Sequence, residues 1–294
     1  MVERVDLHAH TTASDGSLSP TELVDLGVLK GLTLLAITDH DTMAGVGEAC
    51  LRGAQTALAV LPGVEMGAQW TAEMHVLGLG VDPKDNVLNK ALEKLRAGRI
   101  ERNREIVQGL VKLGLPISWE AVSKGREGTV IGRGHIARAL LENGAVQSIQ
   151  EAFARYIGQG KPAYVPRFRY TPMRTLELIC KAGGYPVLAH PVQLGLELRT
   201  LYALCGSLKE SGLWGIEVFH PTQTPEQSEQ YLRLARRLGL MVTGGSDFHG
   251  RNKPDVELGD AVVTCGELEA SCRILKRKTC LPVPETDGTN KIIH

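Results

Sequence analysis

The sequence predicts an α/β barrel carrying a helical insertion, and three observations lead there. Short apolar runs alternate with helical patterns, the signature of βα units and a mainly parallel sheet. Histidines and carboxylates recur just past the ends of those runs, at the face where a parallel barrel gathers its loops. One interval, Asp82 to Arg169, is too long for an ordinary crossover. A chain of 294 residues has room for one barrel of roughly 250 residues plus that extra structure.

Taken in order, the candidate strands are RVDL (4–7), TLLAI (33–37), LAVL (58–61), HVLGLG (75–80), YPVLA (185–189), GIEVF (215–219), LMVTG (240–244) and DAVV (260–263). Seven or eight parallel strands suggest a barrel. Between the first two lies a well-marked helix: Ser19 caps it, Pro20 suits its first position and Glu22 completes a capping box. Within the long interval, apolar spacing gives one long helix over 86–114 and two shorter ones over 134–145 and 148–160, each stopped by Gly. The barrel then resumes at 170–184, with Thr171 as cap and Pro172 in the first turn. The expected organisation is barrel (1–82), helical insertion (83–168), barrel (169–280) and a loose tail (281–294).

Composition narrows the class. Hydrophobic residues make up 43% and charged residues 22%, and no segment approaches the roughly 18 to 20 uninterrupted apolar residues of a membrane helix. The start, MVERVDLHAH, lacks the apolar core of a secretory signal, so a cytoplasmic location is expected. Six cysteines without any CxxC read as reduced and mostly buried. Lys plus Arg equals Asp plus Glu at 33 each, so no global field draws nucleic acid or an anionic membrane, and no DNA-binding patch stands out.

The residues that carry chemistry follow the strands. His8 and His10 come after RVDL; Asp39, His40 and Asp41 follow TLLAI; Glu65 follows LAVL; His190 follows YPVL; Asp247 and His249 follow LMVTG; and His75 opens its own strand. Neutral imidazole and carboxylate are ligands for divalent metals, and cysteine is absent from the set. In HxH on a strand both rings face one side, so one ion can take both. A carboxylate such as Glu65 can bridge two ions, and such a pair activates water while stabilising a leaving oxygen.

Together DLHAHTTASDG, AITDHDT, PGVE, AHP and GSDFH resemble the polymerase and histidinol phosphatase (PHP) metal-dependent phosphoesterases, across residues 5–80 and 183–264. The resemblance implies a distorted (β/α)7 barrel with two or three divalent ions, commonly manganese, zinc or iron. It assigns His8, His10, Glu65 and Asp247 to one ion, Glu65 with His75 and His190 to a second, and Asp15, His40 and His249 to a third. Asp15 departs from the His found there in many members of the family.

The insertion, through GRGHIARAL and GKPAYVP, together with GIEVFHP, resembles the branch that releases the 3'-phosphate of nucleoside 3',5'-bisphosphates and trims short 5'-phosphorylated RNA from its 5' end. Arg133 and His135, at a helix start, are expected to anchor a phosphate. Lys161 and Tyr164 approach the same ligand, and His220 lines the mouth. Histidinol-phosphate phosphatase and cyclic phosphodiesterase activities stay open within the class, as does a non-catalytic module stabilised by metal. Arg96, Arg99, Arg102 and Arg104 interleave with Glu93, Glu101 and Glu105, which reads as i,i+4 pairing on a solvated face.

Overall fold

The computed structural model describes residues 4–125, 129–260 and 265–280. Seven strands form one sheet in sequence order: β1 (Val5–Asp6), β2 (Leu34–Ile37), β3 (Ala59–Ala68), β4 (Met74–Leu79), β5 (Tyr185–Leu188), β6 (Gly215–Phe219) and β7 (Met241–Gly244). The sheet curls until its edges meet, with Leu7 N donating to Gly244 O at 3.2 Å and Asp247 N to His8 O at 2.8 Å. Gly245 is needed at that seam, because a Cβ there would stand 2.4 Å from the Cβ of His8. The eighth candidate strand, DAVV, and the expected tail fall almost wholly outside the described residues.

One strand departs from the parallel expectation. β4 runs antiparallel to both β3 and β5. It follows β3 through a hairpin turn at residues 69–73, and so short a link can only reverse the chain. The reversal explains why His75 opens its strand while His190 and Asp247 follow the ends of theirs: the start of β4 lies at the rim where its neighbours end. β3 also runs to Ala68, well past LAVL, carrying Glu65 inside the sheet.

Ten α-helices are described: α1 (Pro20–Leu29), α2 (Val46–Gly53), α3 (Asn86–Lys112), α4 (Trp119–Ser123), α5 (Arg133–Glu142), α6 (Ile149–Ala152), α7 (Pro172–Lys181), α8 (Leu198–Glu210), α9 (Pro225–Leu238) and α10 (Gly266–Leu275). The Ser19 capping box is formed, with Glu22 N donating to Ser19 Oγ at 3.2 Å and Ser19 N to Glu22 Oε2 at 2.7 Å. It fixes the start of α1, whose Leu23 and Val24 are fully buried, each stabilising by about 2 kcal/mol.

Two apolar cores result. The barrel core takes Leu88, Ala91, Leu92 and Leu95 from the first half of α3. The second half gives Ile106, Val107 and Leu110 to a separate core with α4, α5 and α6. α3 thereby ties a small helical layer to the barrel mouth.

Two readings need correction. Cys50 and Cys280 form a disulfide joining α2 to the chain's last described residue, so these two are not reduced. Of the others Cys205 and Cys272 are buried and Cys180 is exposed. Arg99 and Arg102 are 7% and 4% exposed, so the arginine stripe of α3 is not a solvated face. Arg99 Nε donates instead to Asp41 Oδ2 at 2.5 Å, and Arg96 Nη1 to Asp41 O at 2.9 Å. The physical reason is that α3 lays this face over the barrel mouth, where a carboxylate waits. No described helix is long and apolar enough to cross a membrane.

Candidate active site

β1 ends by pointing His8 and His10 into the mouth, as its alternation requires. His8 Nε2 lies 3.4 Å from Glu65 Oε2 and 3.5 Å from Asp247 Oδ1, while His10 Nε2 lies 3.2 Å from each. Beside them Glu65 Oε1 stands 2.8 Å from His75 Nδ1 and 3.0 Å from His190 Nε2. On the outer side Asp15 Oδ1 is 3.3 Å from His249 Nε2, and Asp15 Oδ2 is 3.8 Å from His40 Nε2. All nine sequence candidates thus come together around Glu65. Three sets have donor atoms mutually close enough to share an ion: His8, His10, Glu65 and Asp247; His40, Glu65 and His75; and His10, Asp15, His40 and His249.

The donor atoms fit such an occupant. His8 Nε2, His10 Nε2, Glu65 Oε2 and Asp15 Oδ1 are buried, yet none has a hydrogen-bond partner. Orphaned buried groups are costly; a cation in the inner set would satisfy the His8, His10 and Glu65 atoms, and one in the outer set the Asp15 oxygen. Strain gathers here too: Asp41, His190 and Asp247 are the non-glycine residues with positive φ among those described, at 53°, 25° and 55°.

Surrounding groups settle which nitrogen of each ring is bare. His8 Nδ1 faces Glu217 Oε1 at 3.1 Å, which puts its proton there and leaves Nε2 for the centre. His249 Nδ1 donates to Asp247 O at 2.8 Å, freeing Nε2 likewise. His220 is the reverse. Thr222 N donates to its Nδ1 at 3.2 Å, so the neutral ring carries its proton on Nε2, 3.5 Å from Asp247 Oδ2. His220 is buried beside Asp247, and it lines a cavity with Phe219, Pro221 and Gln223.

Charge in this ring is matched. Burial would raise Glu65, yet His40, His75 and His8 hold it well below the usual carboxylate range. Burial would also raise Asp247, and His8 and His249 hold it down. Burial alone would lower His10 and His75, but in the first Asp247 and Glu65 hold the ring up at about 10, and in the second Glu65 and Glu73 hold it at about 9.

Against the ring lies a cavity of about 200 Å³, walled by Asp15, His40 and His75 on one side and by Arg99, Arg102, Arg133, Arg167 and Arg169 on the other. Arg133 and Arg169 are clamped by Glu73, at 2.5 and 2.6 Å. Arg99 and Arg167 share Asp41, and Arg167 reaches it over Gly67, where a Cβ would stand 2.3 Å from its Nη2. Arg102 has no such partner; its Nε is buried and orphaned. Burial, then the charges of Arg99, Arg167 and Arg133, pull it down to about 8, the mark of positive charge lacking a counter-ion. Arg167 falls to about 9 by burial and Arg99. Such a pocket selects a compact polyanion.

The other sequence candidates divide. Arg133 lines this cavity, but His135 lines a neighbouring one, with its Nδ1 accepting from Gly132 N at 3.0 Å. Lys161 is exposed and Tyr164 lies with its ring 5.8 Å from the Arg133 guanidinium; neither lines the arginine cavity. Sequence reasoning missed Glu73, Arg167, Arg169 and Glu217. Two signals were available: the alternation of Arg167 and Arg169 in VPRFRY, and a glutamate at a strand-interior position in GIEVF.

A mouth of imidazoles and carboxylates able to hold metal, beside an anion pocket on a curled α/β sheet, defines a metal-dependent phosphoesterase. Known proteins agree. The model of the PHP domain matches residues 6–162. The chain is 36% identical over 257 residues to the 5'-3' exoribonuclease Rnm of Escherichia coli, covering 86% of this chain and 87% of that protein. It is 33% identical over 276 residues to a 3',5'-nucleoside bisphosphate phosphatase of Chromobacterium violaceum, covering 93% and 95%. A solved Chromobacterium violaceum amidohydrolase with bound sulfate and no metal superposes with a TM-score of 0.86 at 31% identity, over 94% of this chain and 97% of that one. The chain belongs to the PHP domain family.

Proposed function

We propose that this enzyme releases the 3'-phosphate from nucleoside 3',5'-bisphosphates and trims short 5'-phosphorylated RNA 5' to 3' by the same cut. The single observation that carries the reading is the arginine cavity opening directly onto the Glu65 ring. A substrate with one phosphate at the ring and a second in the cavity satisfies both, and the two named relatives act on such molecules.

In this reading His8, His10, Glu65 and Asp247 hold one divalent ion, Glu65, His75 and His190 a second, and Asp15, His40 and His249 a third, with manganese, zinc or iron as candidates. Bound there, divalent ions would supply an activated water and neutralise charge developing at phosphorus. The chain does the rest. Glu217 and the Asp247 carbonyl hold the His8 and His249 rings with Nε2 inward. His220 offers an N–H beside Asp247. Arg102, held ready without a counter-ion, binds the terminal 5'-phosphate, and the 83–168 insertion acts as a substrate-binding cap. Water adds to phosphorus, the bond from phosphorus to the 3' oxygen breaks, and that oxygen leaves with a proton.

Substrate profiling of the manganese-loaded protein tests this. Adenosine 3',5'-bisphosphate is expected to lose phosphate at a rate well above histidinol phosphate. The opposite preference would overturn the reading.

A further inference from the structure

A second cavity, of about 360 Å³, adjoins the Asp15 loop. Asp15 itself lines the arginine pocket, while its neighbours Ser14 and Gly16 line this other space. Its remaining walls include Ser17, His135, Arg138, Arg251 and Asn252. Its lining residues contact the metal-ligand candidates. Asn252 Nδ2 donates to Asp15 O at 2.9 Å, Ser17 N to His249 O at 3.1 Å, and Ser14 Oγ lies 3.4 Å from His10 Nδ1.

Two features tell what it would take. Among the described residues no carboxylate side chain lines it, whereas two guanidiniums do. Arg138 Nη2 donates to a neutral amide, Asn252 Oδ1, at 2.8 Å. Arg251 feels Glu22, but that carboxylate already accepts from Ser19 N. Among the described residues no Phe, Tyr or Trp lines the space either, so these offer charge and hydroxyls without a stacking platform for bases.

We infer that this cavity is the subsite for the phosphodiester backbone immediately 3' of the scissile bond, engaged by RNA and left unused by a mononucleoside bisphosphate. The inference rests on the proposed function, which fixes the direction of the strand. With the terminal 5'-phosphate among the arginines and the scissile ester at the ring, the rest of the strand must leave past the ring. The cationic cavity walled by the two neighbours of Asp15 is placed to receive it. Contacts to backbone phosphate carry no sequence information, so trimming would be nearly indifferent to sequence.

The test is the double variant Arg138→Gln, Arg251→Gln, assayed on adenosine 3',5'-bisphosphate and on a short 5'-phosphorylated RNA. A parallel measurement follows binding of the same RNA, fluorescently labelled, in chelator at several salt concentrations. The expected result is a drop of about tenfold in kcat/KM for RNA with bisphosphate hydrolysis within about twofold of the parent, and a shallower salt dependence of RNA binding by roughly one to two in slope. Equal losses on both substrates, or unchanged RNA cleavage and salt slope, would overturn the inference. If the parent cleaves neither substrate, the proposed function fails, while the binding arm still decides this subsite. Should the double variant melt early, Arg251→Gln alone carries the same readouts, because that side chain is exposed.

Discussion

The ring around Glu65 and the pocket around Arg102 share Asp15, His40 and His75 as a wall, yet they handle charge in opposite ways. In the ring each buried carboxylate is surrounded by imidazoles, and the orphaned atoms point at one another across room for a cation. In the pocket Asp41 and Glu73 answer four arginines and leave Arg102 unanswered. The ring is built to hold cations and the pocket to hold an anion. Under the proposed function the first half does the chemistry and the second binds the phosphate that is not cleaved.

That division predicts unequal effects. Glu65→Gln removes the charge common to the inner sets and should lower kcat by about a thousandfold or more, with lost metal content as a separate readout. Normal metal content and turnover in that variant would break the assignment. Arg102→Met should act on the other half, raising KM for a bisphosphate about a hundredfold with kcat nearly unchanged. Because it removes an uncompensated buried charge, the same change should raise the Tm of the unliganded protein, by roughly 2–4 °C. A kcat loss as large as that of Glu65→Gln would erase the distinction between the halves.

Smaller effects sharpen it. Glu217→Gln leaves the ring residues in place but loosens the hold on His8, so metal affinity should fall about 10–100-fold by calorimetry. Proton linkage gives a further check. In the metal-free protein His10 and His75 are held up at about 10 and 9, so their pairing stabilises fully below the unfolded value of about 6.5 and is lost as pH rises through those values. An ion needs the rings neutral, so metal affinity should rise with pH over that interval, with protons released on binding. Affinity independent of pH would contradict the pairing.

Most of the ring was legible in the sequence because its members follow apolar strand runs or, for His75, open the reversed one, whereas Asp15, in the loop after β1, came only from the family resemblance. The cap of α1 was legible too, since Ser19, Pro20 and Glu22 act within one turn. The antiparallel run of β4 was not, because a single apolar strand pattern carries no direction. The pocket was hidden more deeply. Its arginines come from α3, α5 and the segment before α7, and only the packing of α3 across the mouth turns Arg99 and Arg102 inward. By spacing alone those two fit a solvated helix face equally well. The Cys50–Cys280 link was hidden likewise, its ends 230 residues apart in the sequence.

The central claim is that Arg102 reads the phosphate that is not cleaved. The most direct test is a cycle of kcat/KM for adenosine 3',5'-bisphosphate and adenosine 3'-monophosphate, in the parent enzyme and in Arg102→Met. The account predicts that the parent prefers the bisphosphate by about a hundredfold and that the variant loses most of this preference while treating the monophosphate much as the parent does. A preference that survives the substitution intact would contradict it.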